Sequence, residues 1–186
     1  MIIGNFIKEI ESRYKNQYFS GLCFDSSKCK RDNIFFAIEG TRIDGNKFIN
    51  HAIKKGAKII ISNQRFEGVR KKILFIKSFN VRKLLSEFAY AIYKNKPKNI
   101  IAVTGTNGKS SVADFYFQIL KLNKKKVASI GTLGVKTQNY IKKVSNTTID
   151  PIALSMILNK LKKEKINDVI LEASSHGLKQ NRLDGL

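Results

Sequence analysis

The pattern of hydrophobic and polar positions along the chain predicts alternating strands and helices. Short apolar runs favour strands, whereas apolar residues spaced three and four positions apart favour amphipathic helices. The apolar runs predict strands at 21–24, 34–38, 58–62, 73–76, 100–103, 127–131 and 168–172. The helical spacing predicts a helix at the N-terminus (Ile3, Phe6, Ile7, Ile10) and helices at 48–55, at 81–93, after Lys109 and at 151–163.

A polar segment divides this pattern into two parts. Residues 94–99 include Pro97, one of only two prolines, which cannot continue the helix predicted before it. We therefore predict a small mixed α/β domain over residues 1–96 and a second domain over residues 97–186. In the second domain strands and helices alternate, which is typical of a doubly wound parallel sheet with ligand-binding loops at the carboxyl ends of its strands.

The second domain opens with a candidate phosphate-binding loop. The strand predicted at 100–103 leads into Gly105-Thr106-Asn107-Gly108-Lys109-Ser110-Ser111. Glycines allow close backbone approach to a phosphate, the following helix contributes the positive end of its dipole, and Lys109 adds a full charge. Ser110 is placed to offer a hydroxyl to Mg²⁺ on a bound nucleotide.

The general form of such loops has a further glycine six positions before the lysine, where this chain has Val103. The string alone is therefore a weak signal, and an ordinary strand–turn–helix with a surface lysine is the alternative. The strand before it and a helix after it strengthen the interpretation. That helix is predicted by an apolar stripe of Val112, Phe115, Ile119 and Leu122.

A carboxylate ends the last predicted strand. Glu172 follows Val169-Ile170-Leu171 and precedes Ala173-Ser174-Ser175-His176-Gly177. Beside a phosphate-binding loop, a carboxylate in this position is suited to hold Mg²⁺, either directly or through water. The alternative is a solvated glutamate at a strand end, and His176 either binds a ligand or caps the turn.

Two further groups of polar residues lie in predicted turns. Asn146-Thr147-Thr148 precedes Asp150-Pro151, which suits helix capping and equally suits hydrogen bonding to a polar ligand. Asp25-Ser26-Ser27 and the segment 39–45 have the composition of ordinary turns.

The net charge of +21 admits two interpretations. A basic surface attracts nucleic acid, but the lysines here are scattered and greatly outnumber the arginines, with no basic–aromatic interleaving. We therefore expect lysines on a solvated surface and no nucleic-acid partner. No apolar run reaches the roughly 20 residues of a membrane span, so no membrane association is expected either.

The two cysteines, Cys23 and Cys29, lack the spacing of a zinc site or a redox pair. We predict reduced thiols, with Cys23 partly buried on a strand, which fits a cytoplasmic protein.

Four groups of strings taken in order resemble the Mur ligase family. They are Asp25-Ser26-Ser27 with Ala37-Ile38-Glu39-Gly40-Thr41-Arg42-Ile43-Asp44-Gly45, then 103–111, then Asn146-Thr147-Thr148, then Glu172-Ala173-Ser174-Ser175-His176-Gly177-Leu178 with Gln180 and Arg182. Within the family they are most similar to the ligases that add the third residue of the peptide. Nearly the whole chain takes part in the resemblance, and the combination is more specific than any single string.

The resemblance implies an ATP-dependent amide ligase of peptidoglycan precursor synthesis. ATP would phosphorylate the D-glutamyl carboxylate of UDP-MurNAc-L-Ala-D-Glu, and the amine of meso-diaminopimelate or lysine would attack the acyl phosphate. The implied fold is an N-terminal domain that binds the UDP-substrate, followed by the first half of an ATPase domain of the phosphate-loop type. The implied protein is a cytoplasmic monomer.

The resemblance also assigns residues. Gly105–Ser111 would bind ATP, with Lys109 and Glu172 as catalytic residues and with Ser110 and Glu172 on Mg²⁺. The uridine nucleotide would contact Ser26, Thr41 and Arg42. The muramoyl-peptide part would contact Asn146, Thr147, Thr148, Ser174, Gln180 and Arg182.

Four residues depart from the family pattern: Ser27 replaces an arginine, Ser110 and Ser111 replace a pair of threonines, and Ile149 replaces a proline. Serine keeps a metal-binding hydroxyl, whereas the change at Ser27 removes a charged group from the first domain. Family members also continue into further ATPase strands, a carbamylated lysine and a C-terminal domain. We therefore expect a fragment that is not an autonomous ligase. The alternatives are another Mur ligase, a folylpolyglutamate synthetase-like ligase, or a non-catalytic basic module that binds nucleotide or RNA.

Overall fold

A computed structural model describes residues 1–40, 43–144 and 146–186. The chain forms two compact units, Met1–Phe88 and Ala89–Leu186. Each unit is built around its own five-stranded sheet. The division falls within a helix, slightly before the polar segment at 94–99 in which the sequence predicts a domain boundary.

The first unit has strand order β1-β2-β3-β5-β4, in which β4 alone is antiparallel to its neighbour. Its strands and helices are β1 (Gly21–Cys23), β2 (Asn33–Phe36), α1 (Ile49–Lys54), β3 (Ile59–Ser62), β4 (Gly68–Arg70), β5 (Ile73–Lys77) and the start of α2 (Val81–Ile92). Every residue of β2 and β3 is buried, as expected for parallel strands covered on both faces. The predicted strands and helices of this region are confirmed, except at the N-terminus.

The predicted N-terminal helix is wrong. The segment contains only two short 3₁₀ turns, Ile3–Asn5 and Ser12–Tyr14. The chain doubles back, so that the N–H groups of Ile3 and Gly4 donate to the carbonyls of Gln17 and Lys15 (3.0 and 2.9 Å), and the segment pairs with residues more than ten positions away instead of continuing as a helix. The apolar residues nevertheless pack inward, because Ile3 is fully buried and Phe6 stacks on Phe88.

The prediction of reduced thiols is also wrong, because Cys23 and Cys29 form a disulfide. Cys23 ends β1, and a 3₁₀ turn at Ser26–Lys28 returns the chain so that the two Cα atoms lie 5.6 Å apart. Both sulfurs are buried in the core beside Phe35 and Ile60. The cysteines therefore give no support to a cytoplasmic location, since reducing compartments disfavour disulfides.

The second unit has strand order β6-β10-β7-β8-β9. Its elements are β6 (Asn99–Val103), α3 (Lys109–Leu122), β7 (Val127–Gly131), β8 (Gly134–Lys136), β9 (Ile141–Lys142), α4 (Pro151–Lys163), β10 (Asp168–Glu172) and α5 (Ser175–Lys179). Strands β6, β10 and β7 are parallel, as predicted, whereas β8 and β9 extend the sheet as antiparallel strands that the sequence did not predict. The mixed α/β, doubly wound fold class is confirmed.

Helices cover both faces of this second sheet. Val169 and Leu171 of β10 pack in one core with Leu158 of α4. Side chains alternate along a strand, so Ile170 and Glu172 lie on the opposite face, where α3 lies against β10 and β7. Helices α3 and α4, which connect the parallel strands, thus lie on the two faces of the sheet and leave the carboxyl ends of these strands uncovered.

The helix predicted after Lys109 is confirmed as α3, but the apolar stripe that predicts it does not pack on the sheet. Val112, Phe115, Ile119 and Leu122 are exposed, and α3 instead buries Ala113 and Phe117.

Among the described residues, no helix has both the length and the apolar character needed to cross a membrane.

Candidate functional site

The three parallel strands of the second sheet end at one edge, and the candidate site lies there. Val103, the last residue of β6, is paired with Glu172, the last residue of β10. Gly131 ends the neighbouring strand β7. The loop at 104–108 leaves this edge with every residue exposed and leads directly into α3.

Two glycines shape this loop. Gly105 and Gly108 have φ angles of +150° and +80°, which L side chains rarely adopt. Gly108 is the residue before the first turn of α3, so the unpaired N–H groups at the start of this helix lie at the loop. The Lys109 ammonium folds back over the loop and donates to the carbonyls of Gly105 (2.6 Å) and Thr106 (3.3 Å). The local structure is therefore that of an anion-binding loop with a lysine held above it.

The Glu172 carboxylate is buried beside this loop and accepts three hydrogen bonds. Ser110 donates from Oγ to Oε2 (3.0 Å), and Thr132 donates from its backbone N–H to Oε1 (3.1 Å) and from Oγ1 to Oε2 (3.0 Å). Glu172 as a whole is only 3% exposed, so these donors replace the water that a free carboxylate would bind. The sequence-based pairing of Ser110 with Glu172 therefore corresponds to a direct contact.

Sequence reasoning missed Thr132. This residue directly follows β7. Its position at the carboxyl end of a predicted strand was the feature from which its role in the site could have been predicted. Its hydroxyl also lies 3.0 Å from the Thr147 hydroxyl and thereby links Glu172 to the predicted ligand-binding turn.

Gly131 makes room for the Glu172 carboxylate. A Cβ atom at position 131 would lie 2.1 Å from Oε1 of Glu172, which is far inside van der Waals contact. The glycine is therefore required for the close approach of this carboxylate to β7, and not for an unusual backbone angle.

The predicted ligand residues Thr147, Thr148 and Ser174 also meet at this edge. Thr148 is buried, and its hydroxyl bonds to the Glu172 carbonyl (3.1 Å) and accepts from the Ser174 backbone N–H (2.8 Å). Ser174 in turn caps α5 by accepting from the Gly177 N–H (3.1 Å). Thr148 thus fixes the turn that presents Ser174, whereas Thr147 points towards Thr132 and the loop.

Gln180 and Arg182 form the next layer. The Arg182 guanidinium donates to the Thr148 carbonyl and, through Nε (3.1 Å) and Nη2 (2.7 Å), to Oε1 of Gln180. The Gln180 amide nitrogen lies 2.7 Å from Nε2 of His176. The Arg182 carbonyl accepts from the Tyr90 hydroxyl (2.9 Å), and burial raises the pKa of Tyr90, so that this phenol remains a donor.

An open cleft of about 310 Å³ joins these groups. Within the described part of the chain it is lined by Thr106, Asn107, Gly108, Lys109, Ser110, Ser111, Thr132, Thr147, Glu172 and Ser174. The loop and the residues predicted for Mg²⁺ therefore share one cleft, together with Thr147 and Ser174. Gln180 and Arg182 do not line the cleft but are linked to it by the contact of Arg182 with Thr148. Asn146 lies at the start of the bend that contains Thr147.

The remaining predicted residues belong to the first unit. Ser26 is buried, and its hydroxyl lies 2.9 Å from Nδ1 of His51, a neighbour that the sequence did not indicate. Ser27, in the position of the expected arginine, donates to the Asp25 carboxylate and holds the pKa of that carboxyl below its usual range. Thr41 and Arg42 lie outside the described residues.

The donor set of the cleft fits magnesium. Mg²⁺ is commonly held in nucleotide sites by one or two protein oxygens, and its other ligands are phosphates and waters. Glu172, Ser110 and Thr132 supply one carboxylate and two hydroxyls. Among the described residues, no group of three or more His, Cys, Asp or Glu side chains that could hold a metal ion occurs.

Two family patterns match the chain. Residues 18–93 match the pattern described as Mur ligase family, catalytic domain, and residues 103–186 match the Mur ligase middle domain. Among curated relatives, the UDP-N-acetylmuramoyl-L-alanyl-D-glutamate–2,6-diaminopimelate ligase of Rickettsia prowazekii is 41% identical over 174 residues, which are 91% of this chain and 36% of that protein. The ligase of the same name from Buchnera aphidicola is 39% identical over 90% of this chain and 35% of its own length. The chain thus spans about a third of the curated relatives that it matches.

Solved structures agree with this result. A structure of a UDP-N-acetylmuramoyl-L-alanyl-D-glutamate–2,6-diaminopimelate ligase matches all of this chain and 38% of its own, with a TM-score of 0.83 and 29% identity. The MurF ligase of Thermotoga maritima in complex with ADP matches 83% of this chain and 32% of its own, with a TM-score of 0.53 and 19% identity, which supports the fold alone. With the two family patterns, the relatives and the loop geometry in agreement, the chain belongs to the Mur ligase family.

Proposed function

We propose that this chain provides the UDP-substrate-binding and nucleotide-binding parts of an ATP-dependent amide ligase of peptidoglycan precursor synthesis. The reaction would add the third peptide residue to UDP-N-acetylmuramoyl-L-alanyl-D-glutamate through an acyl phosphate. The names of the relatives favour diaminopimelate over lysine as the added residue. A cytoplasmic location and a monomeric state belong to this proposal.

The observation that carries the proposal is the contact between Ser110 and Glu172 at the start of α3. A helix N-terminus, a lysine and a buried carboxylate with a hydroxyl beside it form the combination that nucleotide phosphates and magnesium require. The relatives supply the reaction, because ligases of this name join an amine to a carboxylate. A carboxylate is a poor electrophile at neutral pH, so phosphoryl transfer from ATP is needed to give it a leaving group.

The roles of individual residues follow from their positions. The loop N–H groups and the Lys109 ammonium would bind the phosphates and stabilise the charge on the transferred group. Ser110 and Glu172 would hold Mg²⁺, which when bound neutralises phosphate charge. Thr132 would keep the Glu172 carboxylate oriented.

The polar groups beyond the loop would orient the acceptor. Thr147 and Ser174 line the same cleft as the loop and have hydroxyls suited to a muramoyl-peptide, while Thr148, Gln180 and Arg182 hold their turns in place. Asn146 remains a proposed substrate contact. In the first unit, Ser26 would contact the uridine nucleotide with His51 beside it, and Thr41 and Arg42 remain proposals for the same role.

Nucleotide binding by the full 186-residue chain tests the proposal. Titration calorimetry with ADP and Mg²⁺ should detect binding, and Lys109→Ala should weaken it at least about tenfold, because a charge-assisted contact to phosphate is lost. Lys121→Ala, in the last turn of the same helix, is the matched control and should leave the affinity unchanged. Unaltered binding by Lys109→Ala would remove the loop from the proposal.

The acceptor half needs its own measurement. UDP-N-acetylmuramoyl-L-alanyl-D-glutamate should bind, and Ser26→Ala should weaken its binding without changing the affinity for ADP. Salt-dependent binding to unrelated RNA, with no response to the UDP-dipeptide, would instead support a basic RNA-binding module.

A further inference from the structure

Ser26 is a buried polar residue of the first unit, and its hydroxyl contacts an imidazole from another element. Ser26 is 8% exposed, and its Oγ lies 2.9 Å from Nδ1 of His51. The two residues are separated by 25 positions in sequence, so the fold and not the local chain brings them together. Burying a hydroxyl is costly unless it is hydrogen-bonded, and His51 supplies a hydrogen-bond partner here.

The backbone that carries Ser26 is held independently of His51. The Asp25 carboxylate accepts from the backbone N–H (3.0 Å) and the hydroxyl (2.7 Å) of Ser27. The disulfide between Cys23 and Cys29 closes the segment that contains this turn. The turn is therefore constrained twice, and both constraints act on atoms other than the Ser26 hydroxyl.

Helix α1 places His51 beside the turn. Ile49 and Ala52 of this helix are buried in the core cluster that also contains both cysteines. The position of α1 relative to the turn is thus set by apolar packing. His51 itself is exposed, so its ring contributes little to that core.

The contact with His51 restricts what the Ser26 hydroxyl can do. A hydroxyl donates one hydrogen bond and accepts up to two, and it rotates when nothing holds it. The contact with Nδ1 uses one of these bonds, whichever of the two atoms donates. The remaining capacity of the hydroxyl then has a fixed direction, so a ligand does not bear the entropic cost of ordering it.

We propose that His51 is a positioning residue for the uridine nucleotide: it orients the Ser26 hydroxyl, and that hydroxyl contacts the ligand. This role rests on the proposed binding of the UDP-substrate by the first unit. It extends that proposal to α1, because the resemblance to the family assigns Ser26 to the nucleotide but assigns no residue of this helix.

Calorimetry with the 186-residue chain and UDP-N-acetylmuramoyl-L-alanyl-D-glutamate tests this role. His51→Leu removes both ring nitrogens and should weaken binding at least about fivefold, the effect of one lost hydrogen bond. It should change the melting temperature by no more than about 3 °C, because His51 is exposed. Asn50→Leu, at an exposed neighbouring position of α1, is the matched control and should leave the affinity unchanged.

Two amide variants separate a positioning role from a structural one. In asparagine the amide oxygen and nitrogen are attached to Cγ, as Nδ1 is in histidine, whereas in glutamine they lie one bond further from the backbone. His51→Asn should therefore keep the affinity within about twofold of the parent, and His51→Gln should not. Equal losses in the two variants would contradict a role through Nδ1.

A double-substitution cycle with Ser26→Ala tests whether His51 acts through the hydroxyl. Ser26→Ala should weaken binding, and His51→Leu should then add less than about a twofold further loss, because the group that it orients is already absent. An undiminished further loss in the Ser26→Ala background would show that His51 acts on the ligand by another route, and would overturn the proposal.

A failure of this role and a failure of the proposed function give different results. If Ser26→Ala weakens binding and His51→Leu does not, the nucleotide contact of Ser26 stands and the positioning role of His51 is refuted. If the parent does not bind the UDP-dipeptide, or if Ser26→Ala leaves the affinity unchanged, the proposed contact of Ser26 with the substrate fails, and the role of His51 fails with it. The affinity for ADP should be the same in all these variants, because the nucleotide cleft lies in the second unit.

Discussion

Strands β10 and β6 are neighbours in one sheet and are similar in sequence, yet they are buried to very different degrees. Four of the five residues of β10 are buried, including the charged Glu172, whereas no residue of β6 is buried. β10 lies between β6 and β7 and has a helix on each face, while among the described residues β6 pairs with β10 alone. The comparison teaches that an apolar run predicts a strand, whereas the neighbours of that strand decide its burial.

The largest expected effect tests this comparison directly. Ile170 and Ile101 are paired on the same face of the sheet, but they are 2% and 42% exposed. Ile170→Ala should lower the free energy of unfolding of the second unit by about 3 kcal/mol, because it removes buried methyl groups and leaves a cavity. Ile101→Ala should cost less than about 1 kcal/mol.

Urea unfolding followed by circular dichroism measures both changes. Hydrogen exchange of the β10 amides assigns the loss to the second unit if the two units unfold together. Similar costs at the two positions would mean that β6 is covered in solution, and the contrast between the strands would disappear.

The sequence predicted the strands and helices well wherever the signal was local. Strand β7, helix α4 and strand β10 begin and end at the predicted residues, because a short apolar run between turns, or a proline after a capping aspartate, defines these elements within the chain itself. The N-terminal helix failed because Ile3 and Gly4 bond to residues more than ten positions away, which no local pattern encodes.

The same distinction applies to the site. Motif spacing and the resemblance together predicted that Ser110 and Glu172 act at one site, and they lie in contact across 62 positions of sequence. Thr132 was missed because its role depends on β7 lying beside β10, and the spacing of residues along the chain does not reveal the order of strands in the sheet. The disulfide was missed for a related reason, since the turn at Ser26–Lys28 is what returns Cys29 to Cys23.

The second prediction concerns the room beside Glu172, at the end of the buried strand. Gly131→Ala places a methyl group where Oε1 of Glu172 lies, so either the carboxylate or β7 must move. We expect a loss of about 2 kcal/mol in unfolding free energy and weaker binding of ADP with Mg²⁺.

Gly21→Ala is the control in the other sheet, because its new Cβ would meet no atom closer than 3.5 Å. It should cost less than about 1 kcal/mol, the usual penalty range of a tolerated surface change. An unchanged stability and affinity of Gly131→Ala would show that the Glu172 carboxylate is not confined to its position against β7.

The third prediction tests whether Thr132 holds this carboxylate. Thr132→Val keeps the shape of the side chain and the backbone donor but removes the hydroxyl that donates to Oε2. We expect about 1 kcal/mol less stability and a several-fold weaker affinity for ADP with Mg²⁺.

Thr132→Ser keeps the hydroxyl and should restore most of that affinity, which a purely steric role of the methyl group would not allow. Calorimetry with and without Mg²⁺ separates the two roles. The prediction would be contradicted if Thr132→Val and Thr132→Ser lost the same affinity for ADP and lost it only in the absence of Mg²⁺. Thr132 would then not act through the Glu172 carboxylate, which we assign to the metal.

The smallest expected effect concerns Asp114 on α3, which forms an ion pair with Lys136 of β8 (2.6 Å). Hydrogen bonds from Lys136 and from Gln118 lower the pKa of Asp114 below its ordinary value. A carboxyl group with a lowered pKa in the folded state stabilises the protein at pH values above its ordinary pKa and loses that contribution as the pH falls through the folded value. Asp114→Asn should therefore cost less than about 1 kcal/mol at neutral pH, and the difference from the parent should shrink as the pH falls below about 4. Urea unfolding of both proteins from pH 7 to pH 3 measures this difference. A gap that stays constant over the whole range would mean that the amide disturbs packing around position 114 and that the ion pair with β8 does not position α3.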